Sequence, residues 1–180
     1  VSTGIGGGVI IDGKLLLGVR GLAGEMGHIT VMHNGPLCGC GQRGHLEALA
    51  SGPAIARWTA EQVAPGAPSA LAKISPLTAR DIARAAAEND ALAISALNRA
   101  GMYVGIALAD YLHIFNPSAI IVGGGVSRSG DHFWEPMQTA LRTHVISDAY
   151  LQDLLVARAA LGDEVGLMGA LALAQSVGQS

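Results

Sequence analysis

The spacing of apolar and polar positions along this 180-residue chain changes several times, and each change predicts an element. Apolar runs at Gly8–Asp12 and Lys14–Gly18 flank Asp12-Gly13, a dipeptide suited to the positive φ angles of a two-residue hairpin turn. A further short strand is predicted at His28–Val31, and residues 32–44, rich in Gly, Pro and Cys, read as loop. Helical composition begins near His45 and extends to about Ala64, with a kink or break predicted at Gly52-Pro53. Pro65–Pro68 reads as a turn or short linker.

Thr78-Ala-Arg-Asp81 has the spacing of a capping box, with Asp in the place of Glu, and opens a helix to about Glu88. Asn89-Asp90 restarts a long helix, Ala91–Phe115, which Asn116-Pro117 terminates. Its AGMYVGIALA stretch is apolar on most faces, which predicts burial on several sides. Ala119–Val122 is a short continuous apolar run ahead of glycines, the pattern of a central parallel strand. Trp134–His144 predicts a helix, Leu154–Ala157 a strand and Glu164–Ser176 a final helix, with no internal repeat. This order describes an α/β layered domain.

Composition fits that picture: half the residues are apolar and 14% are charged, enough for a real core in one domain or one lobe of something larger. A net charge of -3 without any Lys/Arg run argues against nucleic-acid binding by this segment. No uninterrupted apolar run approaches the ~18 residues of a membrane span; the nearest, Gly101–Ala109, meets Asp110. No basic stretch at Val1 suggests a signal peptide. The two cysteines, Cys38 and Cys40, are too close for an unstrained disulfide, so a reducing cytoplasm is the expected compartment.

Candidate chemistry concentrates in Gly24–Glu47. His28, Cys38, Cys40 and His45 offer two nitrogens and two sulfurs, a set suited to tetrahedral Zn²⁺. With all four positions filled by protein the ion would be structural, leaving no position for an activated water. The competing reading is a flexible loop with free thiols and surface histidines. Glu25 and Glu47 flank the cluster and either accept hydrogen bonds from a polyhydroxylated ligand or serve as a solvated loop acid and a first-turn helix acid. Ser2–Gly8 is either a backbone cradle for phosphate oxygens, with Thr3 adding a hydroxyl, or a hairpin approach that needs glycine. The loop at 123–127 follows a buried strand, where nucleotides dock in α/β sheets, or simply packs strand against helix. It is not a G-x-G-x-x-G fingerprint, and NAD is disfavoured. His33, His113, His132 and His144 show no partner pattern, Trp58 and Trp134 read as packing residues, and Arg128 and Asp131 as capping or solvated.

Together STGIGGG (2–8), GEMGH (24–28), CGCGQRGHLE (38–47), ASG (50–52), NPSAIIVGGGVS (116–127) and LGDEVGLMGALALA (161–174) resemble the ROK family of bacterial sugar kinases and sugar-responsive repressors. The resemblance implies an actin-like, ribonuclease H-like fold of two lobes, residues 1–180 being the C-terminal lobe of a glucokinase-like protein and the N-terminal lobe absent from the chain. It implies that Thr3, Gly4 and Gly6 approach the phosphates of Mg²⁺-bound ATP and that Gly124 and Gly125 face the adenosine. Glu25, His28 and Glu47 match sugar contacts; His28, Cys38, Cys40 and position 45 match ligands of a structural Zn²⁺. Position 45 is usually Cys in the family and is His here. The family's Asp base belongs to the other half, so no catalytic base is assigned on this chain, and the chain alone is expected to be inactive. Hexose and ATP are the expected partners, with a homodimer as the family's common assembly. The alternative within the family is a sugar-sensing repressor with an upstream helix-turn-helix.

Overall fold

The structure, a computed structural model, describes residues 1–63 and 68–177. Asp12 and Gly13 carry φ angles of 51° and 74°, which closes the expected hairpin between β1 (Ile10–Ile11) and β2 (Lys14–Leu15). Ile10 lies opposite Leu15 and Ile11 opposite Lys14.

The strand expected at His28–Val31 does not form. A 3-10 turn, Met26–His28, occupies its start, and Thr30 makes only an isolated bridge to His45. Val31 and Met32 both donate to the Gly44 carbonyl, a convergence that a regular strand ladder does not permit.

The helix expected from His45 divides into α1 (Leu46–Ala50) and α2 (Gly52–Gln62). The break falls at Ser51, which is extended (ψ 161°) and whose side chain accepts from the Ala54 N–H at 3.3 Å. Pro53 therefore sits in the first turn of α2, where a missing N–H costs nothing. Residues 64–67, including most of the expected Pro65–Pro68 turn, lie outside the described residues.

Thr78 and Asp81 form both arms of the capping box at the start of α3 (Ala79–Ala87). Asn89, with φ 64°, turns the chain, and Asp90 caps α4 (Ala91–Phe115) through the Ala93 N–H at 3.0 Å. Asn116 ends α4 in the left-handed conformation, φ 43°. By length and composition α4 could cross a membrane, because one 18-residue window has a mean hydropathy of 1.4. No uninterrupted apolar run marks it, because Asn98, Arg99 and Asp110 interrupt α4 but are diluted by their apolar neighbours. In the structure 56% of that window is buried by the chain's own elements, which makes α4 the axis of the core.

β3 (Ala119–Val122) runs into a 3-10 turn, Val126–Arg128, and then α5 (Asp131–His144), which begins three residues earlier than expected. Gly101 and Gly105 let α5 close on α4. A Cβ on Gly101 would lie 3.1 Å from the Phe133 carbonyl carbon, and one on Gly105 would lie 2.9 Å from the Leu141 nitrogen. Phe133 and Met137 are fully buried at this contact.

β4 (Leu155–Arg158) pairs parallel with β3, Ala119 opposite Leu155 through Val122 opposite Arg158. Among the described residues β3 is not the central strand expected, because the sheet has two strands and only Val122 is fully buried. The apolar run AIIV matches burial on two faces, yet Ile121 is exposed. The chain ends in α6 (Val165–Val177), whose Leu167, Met168, Leu171 and Leu173 are also exposed.

Candidate functional site

Three loops meet at one buried residue, Ile5. Its N–H donates to Glu47 Oε2 at 2.8 Å, which ties the glycine loop 2–8 to the first turn of α1. Its carbonyl lies against Gly27, where a Cβ would come within 2.8 Å of the Ile5 carbonyl carbon and nearer still to its oxygen. The turn carrying Glu25 and His28 thus rests on the same peptide that Glu47 holds. From behind, the Tyr111 hydroxyl of α4 donates to the Met26 carbonyl, and burial pushes that phenol's pKa above its ordinary value.

The loop from 29 to 45 is folded by its own backbone. Val31 N–H donates to the Gly44 carbonyl and Gly44 N–H to the Pro36 carbonyl, each at 2.9 Å. Cys38 and Gln42 pair through Cys38 N–H at 2.8 Å, and Gly41 turns back onto the Cys38 carbonyl at 2.9 Å. Gly44, with φ 73° and a Cβ position 2.8 Å from the Met32 carbonyl carbon, cannot be another residue without opening this clasp.

The clasp brings His28, Cys38, Cys40 and His45 together, one donor atom from each lying within 4.8 Å of the others. His28 Nδ1 is 3.3 Å from His45 Nδ1 and 3.7 Å from Cys38 Sγ, and Cys40 Sγ is 3.2 Å from His45 Nδ1. A tetrahedral Zn²⁺ with bonds of about 2.05 Å to N and 2.3 Å to S has edges of roughly 3.3 Å (N···N) and 3.6 Å (N···S). The donor set therefore fits such an ion in chemistry, and three of its separations lie within about 0.4 Å of those edges, while the set as a whole spreads to 4.8 Å and would draw in around the ion. Cys38 and His45 are buried, His28 half-buried and Cys40 exposed. Burial raises the Cys38 thiol pKa, and Glu47 nearby adds to that; a bound cation is the group that would favour the thiolate. His28 Nε2 points the other way, 3.9 Å from Glu25 Oε2, an outer carboxylate of the kind that orients a ligating imidazole. Glu25 itself is exposed, and Glu47 is half-buried between the cluster and the glycine loop.

Of the residues expected on the nucleotide side, Thr3 and Gly125 share the wall of a cleft of about 620 Å³ with Gly52, Thr78, Arg80 and Arg128. Gly6 lines a second cavity, about 590 Å³, between the hairpin, β3 and α4. Gly4 sits beneath Glu47, and Gly124, with φ 98°, packs on the backbone of Val1, whose carbonyl accepts from the Val126 N–H at 3.1 Å. The Gly52 N–H donates to the Ser2 carbonyl at 2.7 Å, so α2 begins where the glycine loop starts.

Several residues with structural consequences here carried no sequence signal. Trp134 donates to the Ser127 carbonyl at 2.6 Å beneath Arg158, which also pairs with Asp131 at 3.1 Å. Arg57 and Arg99 bond the α1 carbonyls of Ala48 and Leu49. A lone arginine in the apolar register of a core helix was the available sign for Arg99.

The family model described as "ROK family" matches residues 1–177. The glucokinase of Halalkalibacterium halodurans is 39% identical over 175 residues, covering 94% of this chain and 52% of that protein. The xylose repressor of Bacillus subtilis is 38% identical over 147 residues, 82% of this chain and 35% of the repressor. The crystal structure of a ROK family glucokinase from Streptomyces griseus in complex with glucose and AMPPNP superposes with a TM-score of 0.84 at 37% identity, covering 96% of this chain and 58% of that one. The chain spans about half the length of the curated glucokinase it matches.

Proposed function

The chain belongs to the ROK family, and from that premise we propose that it forms the C-terminal, sugar- and nucleotide-facing lobe of an ATP-dependent hexose kinase. The observation that carries the reading is the Glu47–Ile5 bond, which links a cluster suited to recognising hydroxyls to a glycine loop suited to phosphate.

In the full-length protein a hexose hydroxyl attacks the γ-phosphoryl group of Mg²⁺-bound ATP; the O–P bond to the sugar forms as the bond to ADP breaks. The hydroxyl proton goes to a base supplied outside this chain. Glu25 and Glu47 accept hydrogen bonds from sugar hydroxyls, and His28 Nε2 completes the set while Nδ1 faces the metal cluster. Backbone N–H groups around Thr3, Gly4 and Gly6 meet the phosphate oxygens, with the Thr3 hydroxyl beside them. The nucleoside extends into the cleft bounded by Gly125, α2 and α3. His28, Cys38, Cys40 and His45 would hold a Zn²⁺ that would stiffen the loop and supply no reacting group.

Likeness to the xylose repressor supports a second reading, in which the same hydroxyl-binding residues sense an inducer. One experiment separates the two. The purified full-length protein is assayed for ATP-dependent phosphorylation of glucose, mannose and N-acyl hexosamines, and for binding to its own upstream DNA. Phosphorylation supports the kinase; operator binding without phosphorylation overturns it. Residues 1–180 alone are expected to show no turnover, and ATP-dependent phosphorylation by that fragment would overturn the placement of the base outside it.

A further inference from the structure

Helix α1 is five residues long, far below the ~12–15 residues at which an isolated helix holds itself. Its last four carbonyls have no acceptor role inside the helix. Three of them find partners beyond it. Glu47 O accepts from the Ser51 N–H at 3.2 Å, Ala48 O from Arg57 Nη2 at 2.8 Å, and Leu49 O from Arg99 Nη1 at 3.2 Å. Two guanidiniums thus replace the turn of helix that the break at Ser51 removes, and their positive charge suits the carboxyl end of a helix.

Arg99 is built to stay there. Its guanidinium carbon lies 5.1 Å from the Trp58 ring centroid and 4.9 Å from that of Tyr103, so it is held between two aromatic side chains. Trp58 comes from α2 and Tyr103 from α4, the same helix as Arg99. Half-buried between the rings, the guanidinium has little freedom to leave the Leu49 carbonyl.

What α1 carries gives this arrangement its consequence. His45 is its N-cap residue and a donor of the metal cluster, and Glu47 lies in its first turn with Oε2 on the Ile5 N–H. A small tilt of so short a helix moves both together. We propose that Arg57 and Arg99 are positioning residues for the sugar site: by holding the carboxyl end of α1 they aim Glu47 at the hexose and keep it bonded to Ile5. The proposal rests on the reading of Glu47 as a sugar contact.

The test uses the full-length protein and glucose titrated by calorimetry, with KM measured separately for glucose and ATP. Arg99→Met keeps the apolar stem and removes the donors. It is expected to weaken glucose binding and raise KM for glucose about tenfold, equivalent to about 1.4 kcal/mol, while KM for ATP stays within about twofold. Arg99→Lys, which restores charge and a donor, recovers most of the loss. Arg57→Met acts in the same direction and keeps the question open to test should Arg99→Met fold poorly. Arg84→Met, on the exposed face of α3, leaves glucose binding unchanged. A lower Tm with glucose binding intact, or equal rises in both KM values, assigns Arg99 a merely structural role and overturns the proposal. Wild-type protein that binds no hexose removes the premise and this proposal with it; wild-type binding retained in the methionine variants overturns this proposal alone.

Discussion

The sharpest perturbation of the site is the methyl group added by Gly27→Ala. Gly27 lies under the Ile5 carbonyl, and a Cβ there would sit 2.8 Å from the carbonyl carbon. Two carbons settle at about 3.5 Å or more, so the carbon alone demands a separation of about 0.7 Å, and the closer oxygen demands more. The obstacle is backbone, so no side-chain rotamer relieves it. Neither partner can retreat freely: Glu47 holds the Ile5 N–H at 2.8 Å, and Tyr111 holds the Met26 carbonyl. The turn bearing Glu25 and His28 must therefore part from the glycine loop by about 1 Å. Misplacement on that scale costs about 100-fold in rate when reacting groups are positioned by the displaced element. Overpacking also lowers stability by about 1–3 kcal/mol. The assay is kcat/KM for ATP-dependent hexose phosphorylation by the full-length protein, well below its Tm, beside Gly166→Ala, where the added methyl meets open space. If Gly27→Ala keeps kcat/KM within about twofold of wild type and melts at the same temperature, the three loops do not meet rigidly at Ile5 and the reasoning fails.

Three further outcomes follow from the same structure. The wild-type protein should carry about one equivalent of zinc by metal analysis, His45→Cys should keep it and His45→Ala should lose it; less than about half an equivalent in the wild type counts against the four-ligand cluster. Gly101→Ala gains about 1 kcal/mol of helix propensity, but its Cβ 3.1 Å from the Phe133 carbonyl carbon overpacks the α4–α5 contact, so Tm should fall, and a rise would refute the close approach. Burial works against ionisation of Asp90, yet hydrogen bonds from Ala93 N–H, the Ser69 hydroxyl and Ala70 N–H outweigh it and hold its pKa below the usual carboxylate value. The stability this contributes is present above the unfolded pKa of about 3.9 and is lost as pH falls through the folded value. The Tm gap between wild type and Asp90→Asn should accordingly narrow as the pH is lowered from 7 toward 2, and a gap independent of pH would refute the assignment.

Elements governed by local chemistry were legible in the chain. The bounds of α4 follow from Asp90, Asn116 and Pro117, and the start of α3 from the Thr78–Asp81 box, because caps act within a few residues of themselves. The gathering of His28, Cys38, Cys40 and His45 was legible for the same reason, the four lying within 18 consecutive positions (28 to 45). What was not legible depends on contacts across the chain. The residues 28–31 are β-compatible, but Gly44 draws two of their neighbouring N–H groups to one carbonyl and prevents a strand. The break expected at Gly52-Pro53 was legible to within a residue, but that Ser51 would cap the helix starting there was not. Arg99 stood out as a lone arginine in a core helix, but its role was not readable: its acceptor is fifty residues away and its aromatic partners belong to two helices.

The alternative pairing of Glu47, as helix acid or as ligand-facing acid, also takes a different form once its partners are known. A first-turn acid answering only the helix charge would need no specific partner. Glu47 instead spends one oxygen on the Ile5 N–H, across forty-two residues of chain, and leaves the other 4.0 Å from Cys38 Sγ. A carboxylate so placed cannot shift toward a sugar without loading the glycine loop, and the loop cannot shift without disturbing the carboxylate. Sensing an inducer requires the first half of that linkage. Phosphoryl transfer requires both halves, because the accepting hydroxyl and the donor phosphate must be aligned within a fraction of an ångström at the same moment. The physical case for the proposed kinase over a sensor therefore rests less on Glu25 and Glu47 being acids than on what Glu47 is bonded to behind them.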